Sequence, residues 1–379
     1  MSATDADHGW LLGRVGGIPV YLAKSWVVIA VVIIVTFGSR FGLRPPVGYA
    51  VAAAYALLLL VSILVHEAGH ALAARAFGAP VNRIVANLWG GHTVFSSATL
   101  TAKSSAVIAL AGPLGNVLLA VLGWGLWQVL EAPIPSLLAG ALTFANAFVA
   151  IFNLLPGLPL DGGALVEAAV WGATGSRSTG MIVAGWAGRI VTIVVGAWFA
   201  ILEPLLSQRA PDTVTVIWVL LIGSFLWRGA STAIAVGRTR SAVGRLRLQQ
   251  VLRPVVALPM SASAASVAAG LVANPAAQYA VLIDPIGRPV AVIDTAKLLD
   301  LPEADLQAVS ASELGLGVPQ AWVVVTDPSG DATSVVQRLA GDGADLPGMV
   351  DVLAVDQAHR VLGTVSIADV ERSLIAPAP

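Results

Sequence analysis

Val65-His66-Glu67-Ala68-Gly69-His70 lies inside an apolar run, with Ala52-Ala53-Ala54-Tyr55-Ala56-Leu57-Leu58-Leu59-Leu60-Val61 before it and Ala71-Leu72-Ala73-Ala74 after it. The run reads as a helix in hydrophobic surroundings, and it carries the pattern H-E-x-x-H. His66 and His70 are four residues apart, so their imidazoles share one helical face. With that spacing a single helix supplies two nitrogens to a zinc ion. Glu67 sits beside the pair, where it can act as a base towards water activated at the metal. Two packed histidines are the alternative. A charged residue at a helix centre in the bilayer costs about 2.5–3.5 kcal/mol, and a packing role would not need it. Catalytic zinc requires a third protein ligand and an open position.

Outward from this stretch the chain remains apolar. Of its 379 residues 57% are hydrophobic and only 11% are charged, with a mean hydropathy of +0.83. Soluble domains carry about 25% charged residues, so this is an integral membrane protein with length left over for a soluble domain. A net charge of −1 points to no nucleic-acid partner. There is no cysteine, hence no disulfide, no iron–sulfur cluster and no thiolate ligand, so zinc must be held by histidine and carboxylate. The N-terminus, with Asp5, Asp7 and His8, lacks the basic stretch and short apolar core of a cleavable signal peptide.

Six membrane spans are expected, at about Leu22–Phe37, Val47–Phe77, Ser105–Leu130, Ile134–Leu155, Met181–Leu206 and Val214–Val236. Residues 1–21 read as polar and irregular. Val81–Trp89 partly alternates, Gly90-Gly91 breaks it and His92–Phe95 resumes, which suggests a small sheet at the membrane. Its edge could pair with an extended peptide. The third span is interrupted at Ala111-Gly112-Pro113-Leu114-Gly115-Asn116, where small residues allow close helix approach. There Asn116 is either a packing residue or a support for the metal. The fourth span ends in Asn153-Leu154-Leu155-Pro156-Gly157-Leu158-Pro159-Leu160-Asp161-Gly162-Gly163, which cannot continue a regular helix. Broken backbone at membrane depth must face protein or a wet cavity. Asp161 is therefore the favoured third ligand, with His92 on its glycine loop as the competitor. Glu167 reads as a helix-start carboxylate. Arg and Lys gather on the side of both termini, at Arg75, Arg83, Lys103, Arg177, Arg238 and Arg240 among others, against Arg40, Arg44 and Arg209 opposite. That bias puts both termini in the cytoplasm.

The composition changes at Arg238–Arg247. Ala280–Ile283 and Val290–Ile293 read as paired strands, and a shift of 72 residues brings them onto Val352–Val355 and onto Leu362–Val365 within the run Val361–Val365. This is an internal repeat of a unit of strands and helices.

H-E-A-G-H in one span, G-P-x-G-N in the next and N-x-x-P-x-x-P-x-D-G-G after a fourth resemble the site-2 protease family of intramembrane zinc metalloproteases, over roughly residues 10–240. The duplication resembles a pair of CBS modules, at about 250–305 and 318–374 within a domain of 245–379. The implied fold is a polytopic α-helical membrane domain (1–240) with six spans and a small membrane-associated β-sheet, followed by a cytosolic α/β CBS pair. The resemblance implies one Zn2+ per chain held by His66, His70 and Asp161, with Glu67 as general base and Asn153 as an oxyanion donor. It implies cleavage of a membrane-spanning regulator of the anti-sigma or pro-sigma type, in the lipid bilayer of a bacterial cell (inner) membrane. It further implies a homodimer through the CBS domains and an adenine nucleotide held by Ser366 and Asp369. The matching first-repeat segment, Asp294-Thr295-Ala296-Lys297, has a lysine where the ribose acceptor belongs. A non-catalytic membrane sensor with a structural zinc is the alternative, and the intact Glu67 speaks against it.

Overall fold

The computed structural model describes residues 9–40, 43–87, 90–95, 100–208, 213–293, 295–318, 322–340 and 351–375. Its contacts divide the chain into two units, Met1–Arg238 and Thr239–Pro379.

The first unit opens on a hairpin, β1 (Trp10–Val15) and β2 (Ile18–Leu22). Its sequence suggested irregular chain, and the structure corrects this. Gly16 and Gly17 both adopt positive φ, 56° and 85°, which suits a two-residue turn whose twist matches the strands. β1 is exposed along its whole length, so it shows no alternation from which a strand could be read. Helix α1 (Lys24–Phe37) follows, then α2 (Pro45–Ala76), which starts on two prolines suited to a first helical turn. Next come β3 (Val81–Asn87) and β4 (Gly90–Phe95). The sheet has the order β1-β2-β3-β4, with β2 parallel to β3 and both hairpins antiparallel, so β4 is an edge strand. Ile18, Val20 and Ile84 pack against Ala71 of α2. This contact seats the sheet beside the H-E-x-x-H motif.

The remaining helices are α3 (Ala102–Val129), α4 (Pro133–Asn153), α5 (Asp161–Thr174), α6 (Arg177–Ala197) and α8 (Thr213–Val243). Between the last two, α6 continues through a π-helical turn at Trp198–Leu202 into α7 (Glu203–Ser207). Among the described residues five helices are long and apolar enough to cross a membrane: Pro45–Ala76, Ala102–Val129, Pro133–Asn153, Arg177–Ser207 and Thr215–Val243. The expected first span is the 14-residue α1, about 21 Å long against a hydrocarbon core of about 30 Å. The expected break in the third span is absent, because α3 runs straight through Pro113. A proline is tolerated in a membrane helix when neighbouring helices re-satisfy its backbone. Its N-terminus is fixed by a capping box, in which Ser104 N donates to Thr101 Oγ1 (3.2 Å) and Thr101 N to Ser104 Oγ (2.8 Å). Helix α5 begins at Asp161, earlier than the helix start expected at Glu167. The glycines at its start mask a good helix-forming segment, Ala164–Ala169, beyond them.

In the second unit, α9 (Leu248–Val251) precedes β5 (Val256–Pro259), α10 (Ala264–Ala273), β6 (Ala280–Ile283), β7 (Pro289–Ile293), α11 (Thr295–Leu299) and β8 (Gly315–Gly317). Then follow β9 (Val323–Val325), α12 (Thr333–Ala340), β10 (Asp351–Val355), β11 (Val361–Ser366) and α13 (Ile367–Ile375). The sheets are β5-β6-β7-β8 and β11-β10-β9. Each pairs its first strand in parallel with its second and its second antiparallel with its third. The 72-residue shift holds in detail. Asp284 Oδ1 accepts from the Ile286 and Arg288 amides, and Asp356 Oδ1 from the Ala358 and Arg360 amides. His359, at φ 63°, occupies the turn position of Gly287, at φ 87°. The first sheet extends to Gly317, beyond the expected module end near 305.

Candidate metal centre

His66 and His70, on α2, present their Nε2 atoms 3.0 Å apart. Asp161, the first residue of α5, brings Oδ2 to 3.1 Å from His66 Nε2 and Oδ1 to 3.3 Å from His70 Nε2. Among the described residues these three form a group whose ligand atoms lie within 4.8 Å of one another. Tetrahedral zinc with bonds of about 2.0–2.1 Å spaces its ligands about 3.3 Å apart, so the separations fit. Proton bookkeeping fits as well. His66 Nδ1 donates to Asn116 Oδ1 (2.5 Å) and His70 Nδ1 to the Ile108 carbonyl (2.7 Å). Each imidazole therefore carries its proton on Nδ1 and turns a lone pair inward. Asp161 Oδ2 is buried without a hydrogen-bond donor. Two lone pairs and a carboxylate converging with no donor between them is the donor set of a cation site.

Helix α3 supplies no ligand but shapes the site. A Cβ on Gly112 would lie 2.6 Å from His70 Cε1 and 2.8 Å from His66 Cε1, so the backbone of α3 rests directly on both imidazoles. Glu67, 6% exposed, is held from the sheet, where Thr93 Oγ1 on β4 donates to its Oε2 at 2.8 Å. Neither Thr93 nor Gly91, whose missing side chain makes room for Glu67, was singled out by sequence.

A cavity of about 610 Å³ opens onto these groups, and its walls include Glu67, Asn153, Asp161, Glu167, His92 and Arg177. Asn153 is the last residue of α4 and faces the same space as the three ligands. His92 lies on β4 opposite Val85, with Nδ1 3.2 Å from Asn87 Nδ2, outside the ligand group. Glu167 is not at a helix start. It lies inside α5 and pairs with Arg177 Nε at 2.8 Å, while Arg177 stacks on Trp171 at 5.3 Å.

In the second unit Ser366 and Asp369 also meet, with Ser366 Oγ donating to Asp369 Oδ2 at 2.6 Å. The carboxylate is fully engaged. Arg253 approaches with Nε at 2.6 Å from Oδ2 and Nη2 at 2.7 Å from Oδ1, and Arg372 Nη2 adds a further bond to Oδ1. Burial raises the Asp369 carboxyl, but the Ser366 hydroxyl and Arg253 outweigh it and hold it below the usual carboxylate range. A carboxylate offers about four lone-pair sites, and these donors take all of them. A ribose diol would have to displace an arginine from this carboxylate. Arg360 is likewise paired, with Asp356 at 2.7 Å. Asp294 lies outside the described residues.

The profile of peptidase family M50 matches residues 54–142 and 128–196. A candidate zinc metalloprotease of Synechocystis sp. is 32% identical over 230 residues, 59% of this chain and 59% of that protein. Rip3, a candidate zinc metalloprotease of Mycobacterium tuberculosis, is 34% identical over 230 residues, 58% of this chain and 57% of that protein. The chain spans about three-fifths of the length of these curated relatives. Among solved structures, the site-2 protease from Methanocaldococcus jannaschii aligns over 59% of this chain and 94% of its own at 21% identity, with a TM-score of 0.42. The CBS domain of a bacterial CNNM/CorC family Mg2+ transporter aligns over 38% of this chain and 82% of its own at 17% identity, with a TM-score of 0.29.

Proposed function

We propose that the chain, whose membrane unit matches the profile of peptidase family M50, is an intramembrane zinc metalloendopeptidase of site-2 protease type. One observation carries the reading: His66, His70, Asp161 and Glu67 converge on a common cavity among helices long enough to cross a bilayer. His66, His70 and Asp161 would hold the metal. Zinc bound there supplies Lewis acidity, which lowers the pKa of water towards about 7 and polarises a carbonyl. The protein's own groups do the rest. Glu67 takes the proton of the attacking water and returns it to the leaving amide nitrogen. Thr93 fixes one oxygen of that carboxylate, leaving the other to exchange the proton. Asn153, on the wall of the same cavity, donates to the developing oxyanion.

A transmembrane helix keeps its peptide bonds internally hydrogen-bonded, so the substrate must unwind before attack. Edge strand β4, which also carries Thr93, offers its outer edge to an extended segment. The substrate class we propose is a membrane-tethered regulator of the anti-sigma or pro-sigma type. The Arg and Lys distribution supports cytoplasmic termini, with α1 as a short sixth crossing, and the bacterial relatives support a bacterial cell membrane. We read the second unit as a CBS pair on its duplicated β-α-β-β architecture. We propose that it serves as a structural or dimerising element, with Asp369 engaged by arginine. A non-catalytic sensor would need no base, and here the base is buried and held by its own hydroxyl donor.

Co-expression with a single-span candidate regulator tests the reading, comparing wild type with Glu67→Gln. Release of a soluble fragment by wild type alone is expected. Equal release by both proteins overturns the assignment.

A further inference from the structure

We propose that Asn146 on α4, with Ser62 on α2, is a positioning residue that sets through Asn116 which nitrogen of His66 carries the proton; this rests on reading His66 as a zinc ligand. Asn116 and Asn146 are fully buried and Ser62 is 4% exposed, at a depth where a polar group without a partner is costly. They form a continuous chain. Asn146 Nδ2 donates to the Leu142 carbonyl (2.9 Å) and to Ser62 Oγ (3.0 Å). Ser62 Oγ donates to the Leu58 carbonyl (2.8 Å). Asn116 Nδ2 donates to Asn146 Oδ1 (2.8 Å), and His66 Nδ1 donates to Asn116 Oδ1 (2.5 Å).

The direction of every bond follows from the two ends. A backbone carbonyl only accepts. The Leu58 carbonyl takes the Ser62 proton, which leaves the hydroxyl lone pairs for Asn146. The Leu142 carbonyl and that hydroxyl therefore face the amide nitrogen of Asn146, and its oxygen must face Asn116. Asn116 in turn must present its NH2 to Asn146 and its oxygen to His66. His66 is left one choice, a proton on Nδ1 and a lone pair on Nε2. Asn116 alone does not impose this, because a free carboxamide can present either end. Its other acceptor, the Ser62 carbonyl at 3.5 Å, is too long to hold it. With Asn146 gone, Asn116 can turn its NH2 to His66 and the imidazole moves its proton to Nε2, the atom that faces Asp161.

The test is zinc affinity of the full-length, detergent-solubilised protein by chelator competition, alongside thermal unfolding and the visible spectrum of the cobalt-substituted protein. Asn146→Leu keeps similar volume and removes the amide; it should bind zinc about 10–100-fold more weakly, the usual range for partners that orient a metal-ligating histidine. Asn146→Val, which likewise leaves no acceptor for Asn116 Nδ2, should do the same and stands in if the leucine variant does not fold. Ser62→Ala leaves the Leu142 anchor and should cost less than either. The deciding arm is Asn116→Asp. An aspartate accepts from His66 whatever Asn146 does, so adding Asn146→Leu to that variant should change zinc affinity less than about twofold. A purely structural role would lower the melting temperature and leave the affinity of the folded protein unchanged. Wild-type affinity in both Asn146 variants, or an equal loss in the Asn116→Asp background, overturns the proposal. A wild-type protein that binds no zinc overturns the metal-site reading instead.

Discussion

Gly112→Ala adds one methyl group at the place where α3 rests on the imidazoles of His66 and His70. The new Cβ would lie 2.6 Å from His70 Cε1 and closer still to Nε2. Ordinary carbon contacts begin near 3.4 Å, so helix or ring must yield by about 0.8 Å in a packed interior. Metal–ligand distances tolerate only about ±0.2 Å, and the displacement is several times larger. If the ring moves, zinc affinity should fall by at least the 10–100-fold seen when an orienting partner is lost, and cleavage should fall with it. If α3 moves instead, overpacking should cost about 1–3 kcal/mol and lower the melting temperature. Gly125→Ala is the matched control: it lies on the same helix, and a Cβ there meets nothing within 4 Å. It should be neutral or slightly stabilising. Zinc content after dialysis against a chelator, read beside thermal unfolding, separates the cases. A Gly112→Ala protein with wild-type zinc retention and wild-type melting would refute the claim that α3 backs the imidazoles at contact distance.

Glu67→Gln should keep near-stoichiometric zinc by elemental analysis while losing at least 10²–10⁴-fold in cleavage, the usual worth of a general base; loss of the metal would recast Glu67 as a ligand. Asp161→Ala should lose zinc and His92→Ala should keep it, and the reverse pattern would exchange their roles. Thr93→Val retains shape but removes the donor to Glu67; a hydrogen bond to a charged group is worth about 1.5–3 kcal/mol, so turnover should drop about tenfold or more with zinc unchanged. In the second unit the folded state depresses the Asp369 carboxyl, so its contribution is present above the unfolded value of about 3.9 and is lost as pH falls through the folded one. Melting curves should show Asp369→Asn less stable than wild type at pH 7 and the gap closing below about pH 4; a gap unchanged by acid would mean that the pairs with Arg253 and Arg372 contribute nothing.

Residues whose chemistry is written in local spacing were legible before the fold was known. H-E-x-x-H needs only helical periodicity to bring its histidines together, and Asp161 stood out because prolines and glycines break a span beside it. The partners of these residues were not legible. Asn146 meets Ser62 across 84 positions and Thr93 meets Glu67 across 26, and no local pattern encodes which strand or helix face will arrive. Asn116 lay within a recognisable motif, yet its choice between packing and support depended on where α2 crosses α3. The same limit explains Asp369. Its Ser-x-x-Asp context was readable, but Arg253, 116 positions away, was not. β1 was missed because both its faces are exposed, and the start of α5 was placed too late because its first residues include helix breakers.

The ligands come from opposite sides of a long interval of chain. His70 leaves the ribosome 91 residues before Asp161, which at about 5–20 residues per second is roughly 5–20 s of synthesis. Throughout that interval α2 carries Glu67 and both histidines without the carboxylate that completes their cluster, and for most of it without Asn146 at the end of the chain that reaches His66. The His66–His70–Asp161 group can close only after α5 has been made.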